Sequence, residues 1–365
     1  MASAVAAGGE SAVDMPETVF QDAGARQRPH LRPPASSALP GRIPDFLIIG
    51  AAKAGTSALY EYLARHPQVA VSREKELNFF LDPGVLPDDV RGFSRGAWHL
   101  GVDWYRRWFQ TDRPVCGEAS PNYSHGVHAE RVAARIAAVA PRARLIYLVR
   151  NPLSRARSHF LMSLKRPGGG RLSFAEYLAT SNALAYASYG TVMEAYLRHF
   201  PREQIMVLES ADLHARRRET MAKVFRFLGV DDRFWCSWYG RQVFVGSRCP
   251  CVSPRGARLR DSAPVQFLRS RLSPAVFYHV ENLLLSPFRV PEPALEVPPG
   301  HAADVVSRLQ REVDLLRRLT ALELPSLDVT AEQAASPPHA QDDLRHALSP
   351  HRALEVEPPC RSLPG

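Results

Sequence analysis

The 365 residues carry a net charge of +9, with 45% hydrophobic and 9% aromatic side chains. That composition suffices for a sizeable core and excludes a wholly disordered chain, and no apolar run of about 18 residues is available to span a membrane. Five scattered cysteines exclude a disulfide scaffold, and neither CPC at 249–251 nor any His/Asp/Glu group has metal-site spacing, so no metal is expected.

Residues 1–42 mix Ala, Gly, Ser and Pro without an apolar period and read as a disordered leader. They lack the basic start and apolar block of a secretory signal, and a cytoplasmic location is expected. The first structured element is the strand DFLIIG at 45–50, followed by a short loop and a helix from Thr56 to His66 with Leu59 and Leu63 on one face. The stretch from Gly84 to Trp108 resists assignment. Next come the strand PVCGE at 114–118, a helix from His128 to Ala140 that stops at Pro141, and the strand ARLIYLV at 143–149. A helix opens at Asn151-Pro152, a cap residue followed by a first-turn proline. The strand QIMVLE at 204–209 follows, then an irregular region from Trp235 to Pro299. A late helix carries the stripe Val305, Leu309, Val313, Leu316 and Leu319. The tail 326–365, broken by Pro337, Pro338, Pro350, Pro358 and Pro359, reads as disordered, leaving 43–325 as the folded domain. Strands apolar on consecutive residues and alternating with helices predict an α/β fold, a three-layer parallel sheet flanked by helices.

Two segments carry the chemistry. In DFLIIGAAKAGTSALYEYLARHP, residues 45–67, a buried strand delivers the chain to Gly50, and small residues lead to a helix opening near Thr56. The backbone N–H groups of such a loop and the positive end of the helix dipole form a concave anion site, suited to phosphate or sulfate. The spacing Gly50 to Gly55 is that of the nucleotide loop GxxxxGK[ST], but Thr56 stands where the lysine belongs, and the lysine, Lys53, lies inside the loop. This opposes ATP or GTP hydrolysis, in which the lysine after the glycine reaches the β- and γ-phosphates. In ARLIYLVRNPLSRARSHF, residues 143–160, Arg150 occupies the strand end where a nucleotide hydrolase keeps a magnesium-binding aspartate. Ser158 follows two helical turns on, and a guanidinium plus a hydroxyl make a metal-free clamp for a phosphate monoester.

Together these segments resemble the donor-binding motifs of sulfotransferases that use 3′-phosphoadenosine 5′-phosphosulfate (PAPS). Within that superfamily REKELNFF (73–80), GVDWYRRWF (101–109), GEASPNYS (117–124) and SPRGARLR (253–260) are most similar to the heparan-sulfate type, the glucosaminyl N- and 3-O-sulfotransferases. The resemblance implies a sulfotransferase fold with a P-loop-like sheet. It implies that Lys53 stabilises the leaving phosphate and the transferring sulfuryl group, that the backbone of Ala54, Gly55, Thr56 and Ser57 holds the 5′-phosphate, and that Arg150 and Ser158 bind the 3′-phosphate. It implies that Glu76 is the general base toward the acceptor, and that Arg255 and Gly256 belong to a further donor-binding loop. Physical reasoning agrees on the pair Glu76 and Lys53, since in-line sulfuryl transfer needs a base on one side and a cation beside the bridging oxygen.

Departures from the family pattern are Glu118-Ala119-Ser120 where relatives carry E-K-[TS], and Arg255-Gly256-Ala257-Arg258 where animal enzymes have Lys-Gly-Arg. His99, His125, His128 and His159 are alternative bases or ordinary packed histidines. Trp98, Trp104, Tyr105, Trp108 and Tyr123 form either an acceptor wall or core packing. The expected function is sulfuryl transfer to a hydroxyl or amine of a carbohydrate or secondary metabolite, with a small-molecule or saccharide acceptor and no nucleic-acid partner. A P-loop nucleotide kinase or hydrolase and a non-enzymatic polyanion binder are the competing classes. The net charge is compatible with ordinary arginine usage, because only four of the cations are lysines.

Overall fold

Every residue of the strand Phe46–Gly50 (β1) is buried. Successive strand residues point to opposite faces, so a strand buried throughout must have both faces covered. The same holds for the central part of the sheet in this computed structural model, which describes residues 33–34, 39–85, 96–164, 172–240, 252–272, 274–291 and 294–335. Of the expected leader 1–42 and tail 326–365, residues 1–32, 35–38 and 336–365 lie outside the described residues, as does the CPC segment at 249–251.

In chain order the elements are β1, Thr56–Ala64 (α1), Val69–Val71 (β2), Gly101–Arg106 (α2), Val115–Ala119 (β3), Ala129–Val139 (α3), Arg144–Val149 (β4) and Pro152–Leu164 (α4). Four helices and a strand follow: Phe174–Ala179 (α5), Ser181–Ala185 (α6), Tyr189–Leu197 (α7), Ile205–Glu209 (β5) and Ser210–Ala215 (α8). The remainder is helical, with Arg217–Leu228 (α9), Pro254–Arg260 (α10), Ala263–Arg271 (α11), Pro274–Leu285 (α12), Pro299–Thr320 (α13) and Ala331–Ala335 (α14). The strands pair in parallel in the order β2-β3-β1-β4-β5. The expected α/β class and the four expected strands are present; β2, an edge strand of three residues, is too short to leave a periodic signal.

Two expectations are corrected. The region from Trp235 to Pro299, expected to be irregular, holds α10, α11 and α12 in its described part. Its prolines mislead as breakers because Pro254, Pro264 and Pro274 stand in the first turns of these helices, where a missing N–H costs nothing. The domain also does not end at 325. Leu327, Val329 and Ala334 are buried, Ser326 N–H donates to Glu209 Oε2 at 2.8 Å, and Arg317 pairs with Asp328 at 2.7 Å. The helix-breaking prolines begin only at 337, and the apolar residues before them continue the core.

That C-terminal segment supports α4. Leu153, Ala156 and Phe160 of α4 share a cluster with Phe174, Tyr177, Leu295, Val297, Leu309, Val329 and Ala334. Helix α13 in turn lies close against α7, where Gly190 leaves no room for a Cβ beside Leu315 and Glu312 donates nothing but accepts from Thr191 N–H and Oγ1 at 2.9 and 2.8 Å.

Candidate active site

In the order β2-β3-β1-β4-β5 the chain leaves β1 first toward β2 and later toward β4. The carboxyl end of β1 is therefore the switch point of the sheet, where open parallel sheets bind ligands. The loop 51–55 begins there. Gly50 is required at the exit because a Cβ would collide with the Ser124 side chain, and Gly55 closes the loop at φ 97°, a left-handed conformation that favours glycine. Lys53 also takes a left-handed conformation, φ 70°, which costs a residue with a Cβ and marks a backbone held for a purpose.

Helix α1 starts from Gly55 with no side-chain cap, and no backbone acceptor takes the N–H groups of Gly55, Thr56 and Ser57 among the described residues. Three donors at the positive end of a nine-residue helix fit a phosphate or sulfate oxygen. Ala54 departs from expectation, since its N–H turns inward to Ala51 O at 3.1 Å; the sequence motif does not distinguish loop amides that close the turn from those that stay open.

On the β4 side Arg150 leaves the strand end half-buried and reaches back across β1, with Nη1 3.5 Å from Lys53 O. Asn151 caps α4 as expected, its Oδ1 accepting from Ser154 N–H at 3.0 Å. Ser158 is half-buried on α4, one turn before Met162, and Lys53 Nζ lies 3.7 Å from Met162 Sδ. Residues four apart share a helix face. The fold thus brings Lys53, Arg150 and Ser158, drawn from two separate motifs, to one edge.

On the β3 side Glu76 is half-buried, with Oε1 2.9 Å from Lys75 Nζ, and its N–H donates to Ala119 O at 2.9 Å. Ala119 is the register partner of Ile48, so Glu76 stands over a strand adjacent to the loop, roughly 5 Å across the sheet. Glu76 and Asn78 both have positive φ, 63° and 48°. Beneath them Glu118 is fully buried and accepts from Tyr105 OH and Tyr123 OH at 2.7 and 2.8 Å and from Ser120 Oγ at 2.7 Å. Burial pushes the Glu118 carboxyl above its ordinary pKa, while these hydrogen bonds and one from the Leu77 N–H pull the other way. Sequence reasoning treated Glu118 only as part of a motif; the signal available was a carboxylate inside the apolar strand run PVCGE.

Most of the remaining candidates resolve into packing, and two are exposed. Trp104, Tyr105, Trp108 and Tyr123 are buried, with the Phe79 ring stacked on Tyr105 at 4.2 Å, so core packing and not an acceptor wall accounts for them. Trp98 packs partly buried beneath the Arg135 guanidinium. His125 is buried with its ring stacked on His128, His159 is buried with Nδ1 2.7 Å from Tyr177 OH, and His99 is exposed. Burial lowers the pKa of His128. Arg255 is exposed in the first turn of α10; Gly256 donates its N–H to Ser253 Oγ at 3.4 Å and packs against Phe288. No hydrogen bond or ion pair joins either residue to loop 51–57 among the described residues. Among the same residues no His, Cys, Asp and Glu group could hold a metal ion, and no helix is long and apolar enough to cross a membrane.

The sulfotransferase domain family model matches residues 43–234, just over half of the chain. The chain belongs to the sulfotransferase domain family. Membership speaks for sulfuryl transfer over the kinase, hydrolase and non-enzymatic polyanion-binding alternatives. It is 26% identical over 276 residues to the mouse bifunctional heparan sulfate N-deacetylase/N-sulfotransferase 4, covering 67% of this chain and 30% of the relative. It is 29% identical over 207 residues to the human bifunctional heparan sulfate N-deacetylase/N-sulfotransferase 3, covering 52% and 22%. The sulfotransferase thus spans less than a third of the length of these curated relatives. A crystal structure of a sulfotransferase from Alicyclobacillus acidocaldarius shares the fold at a TM-score of 0.53 and 23% identity, covering 78% of this chain and 98% of that one.

Proposed function

We propose that this sulfotransferase moves the sulfuryl group of PAPS to a hydroxyl, or an amine, of a saccharide or secondary-metabolite acceptor, with Glu76 as general base and Lys53 at the leaving phosphate. The observation that carries the reading is the meeting near the β1 switch point of an uncapped helix N-terminus, two cations and a glutamate whose amide is bonded to the end of the adjacent strand β3. When bound, the donor supplies the sulfuryl group on its 5′-phosphate. The N–H groups of Gly55, Thr56 and Ser57 would hold that phosphate, and Arg150 and Ser158 the 3′-phosphate that distinguishes this donor from ATP. Glu76 accepts the proton of the acceptor group as the new bond forms, and Lys53 neutralises charge building on the bridging oxygen on the opposite side. The heparan sulfate specificity named for the relatives supports a carbohydrate as the acceptor class.

Calorimetry comparing 3′-phosphoadenosine 5′-phosphate with ATP tests the donor, and transfer of radiolabelled sulfuryl to a saccharide and phenol panel tests the acceptor. The expected result is binding of the former nucleotide alone, and a loss of about 100-fold in turnover on Glu76→Gln. Full turnover in that variant would remove Glu76 from the mechanism.

A further inference from the structure

We propose that Glu118 is a positioning residue, holding Glu76 in reach of the acceptor by fixing the backbone that follows it; this rests on the assignment of Glu76 as base. A carboxylate with no exposed surface is costly unless it is hydrogen-bonded, and here three hydroxyl donors converge on it. Two are tyrosines fixed in the core: Tyr105 OH and Tyr123 OH meet Oε1. The third leads to the base: Ser120 Oγ, while donating to Oε2, accepts from Asn78 N–H at 3.0 Å. With Glu76 N–H on Ala119 O, the amides of Glu76 and Asn78 are held by the two residues that follow Glu118.

These bonds act on the stretch with the unusual backbone. Positive φ at Glu76 and Asn78 is unfavourable for residues with a Cβ and persists only where surrounding structure over-determines it. Remove the acceptor that orients Ser120, and the segment is free to return to an extended form, swinging the Glu76 side chain away from the end of β3. Glu118 itself is covered by the aromatic core and reaches no solvent, so its effect on transfer runs through Glu76 alone.

The test is a double-mutant cycle in the full chain with Glu118→Gln, which keeps shape but replaces one acceptor oxygen and the negative charge with an amide donor. The expected outcome is a turnover loss of about 10- to 100-fold with the dissociation constant for 3′-phosphoadenosine 5′-phosphate changed by less than about twofold. In a Glu76→Gln background the same substitution is expected to change the residual turnover by less than about twofold. An equal loss in both backgrounds, or donor-product affinity falling in step with turnover, overturns the positioning role and leaves the base assignment intact. Full turnover in Glu76→Gln alone overturns both. Tyr105→Phe and Tyr123→Phe, which each delete one donor and keep the ring, are expected to lower turnover by about 3- to 10-fold. Should Glu118→Gln not fold, wild-type turnover in both tyrosine variants overturns the proposal.

Discussion

On the β3 side of β1, the carboxylate expected to act as base follows the sheet edge through backbone bonds: its own amide to Ala119 and the Asn78 amide to Ser120, which in turn donates to the buried Glu118. The chain just beyond is tied to α3, where Arg135 and Arg131 meet Asp82 at 2.7 and 2.9 Å. On the β4 side, Arg150 and Ser158 are half-buried, and the bond from Arg150 to the loop is long. The difference follows from what each side handles. A base must be oriented before the acceptor arrives, and a buried network does that. A cation that is to meet an anionic ligand is better left partly solvated, because full burial of a charge costs several kcal/mol.

The largest break in this contrast is expected from Lys53→Ala on the open side. Turnover should fall about 100- to 1000-fold, since one preorganised charge donor at a developing anion carries that much; rapid-quench measurement of transfer checks it, and a loss below tenfold would place the leaving-group cation elsewhere. Arg150→Ala should act on binding. The donor KM is expected to rise about 10- to 100-fold, the worth of a charge-assisted hydrogen bond, with turnover nearly unchanged. Equal losses in both parameters would make Arg150 part of the chemical step.

The smallest effect concerns the tie at Asp82. Arg135 first, and Arg131 with it, hold the Asp82 carboxyl below its ordinary value of 3.8. A depressed folded-state pKa adds stability above the unfolded value, and that contribution is lost as pH falls below 3.8 through the lowered folded value. Asp82→Asn is therefore expected to cost less than about 1 kcal/mol at pH 7, as part-exposed pairs do, and to flatten the acid limb of stability. Denaturant midpoints of both proteins from pH 5 to pH 2.5 check this, and parallel curves would show that the ion pairs contribute nothing.

Elements whose signal is local were legible in the chain. The strand, loop and helix around Lys53 lie within about twenty residues, and the small residues, the displaced lysine and Thr56 mark a candidate anion loop without any tertiary contact. The strand to Val149 and its cap at Asn151 are legible for the same reason. The helices after Pro254 were not, because a proline breaks a helix or starts one according to where the preceding chain runs. Nor did the motif reveal that Ala54 closes the loop with its own amide.

By itself, then, the sequence determined the small-residue loop with its lysine, the strand-end arginine and the apolar runs that build a parallel sheet, since each is written in neighbouring residues. Only the tertiary structure decided what meets at the switch point. Arg150 finds the Lys53 carbonyl across 97 residues of chain, and Ser120 finds the Asn78 amide across 42. Strand order creates such meetings, and it is set by how both faces of the sheet are covered. The same packing takes Glu118 and two tyrosines out of the roster of surface groups and sets them beneath Glu76.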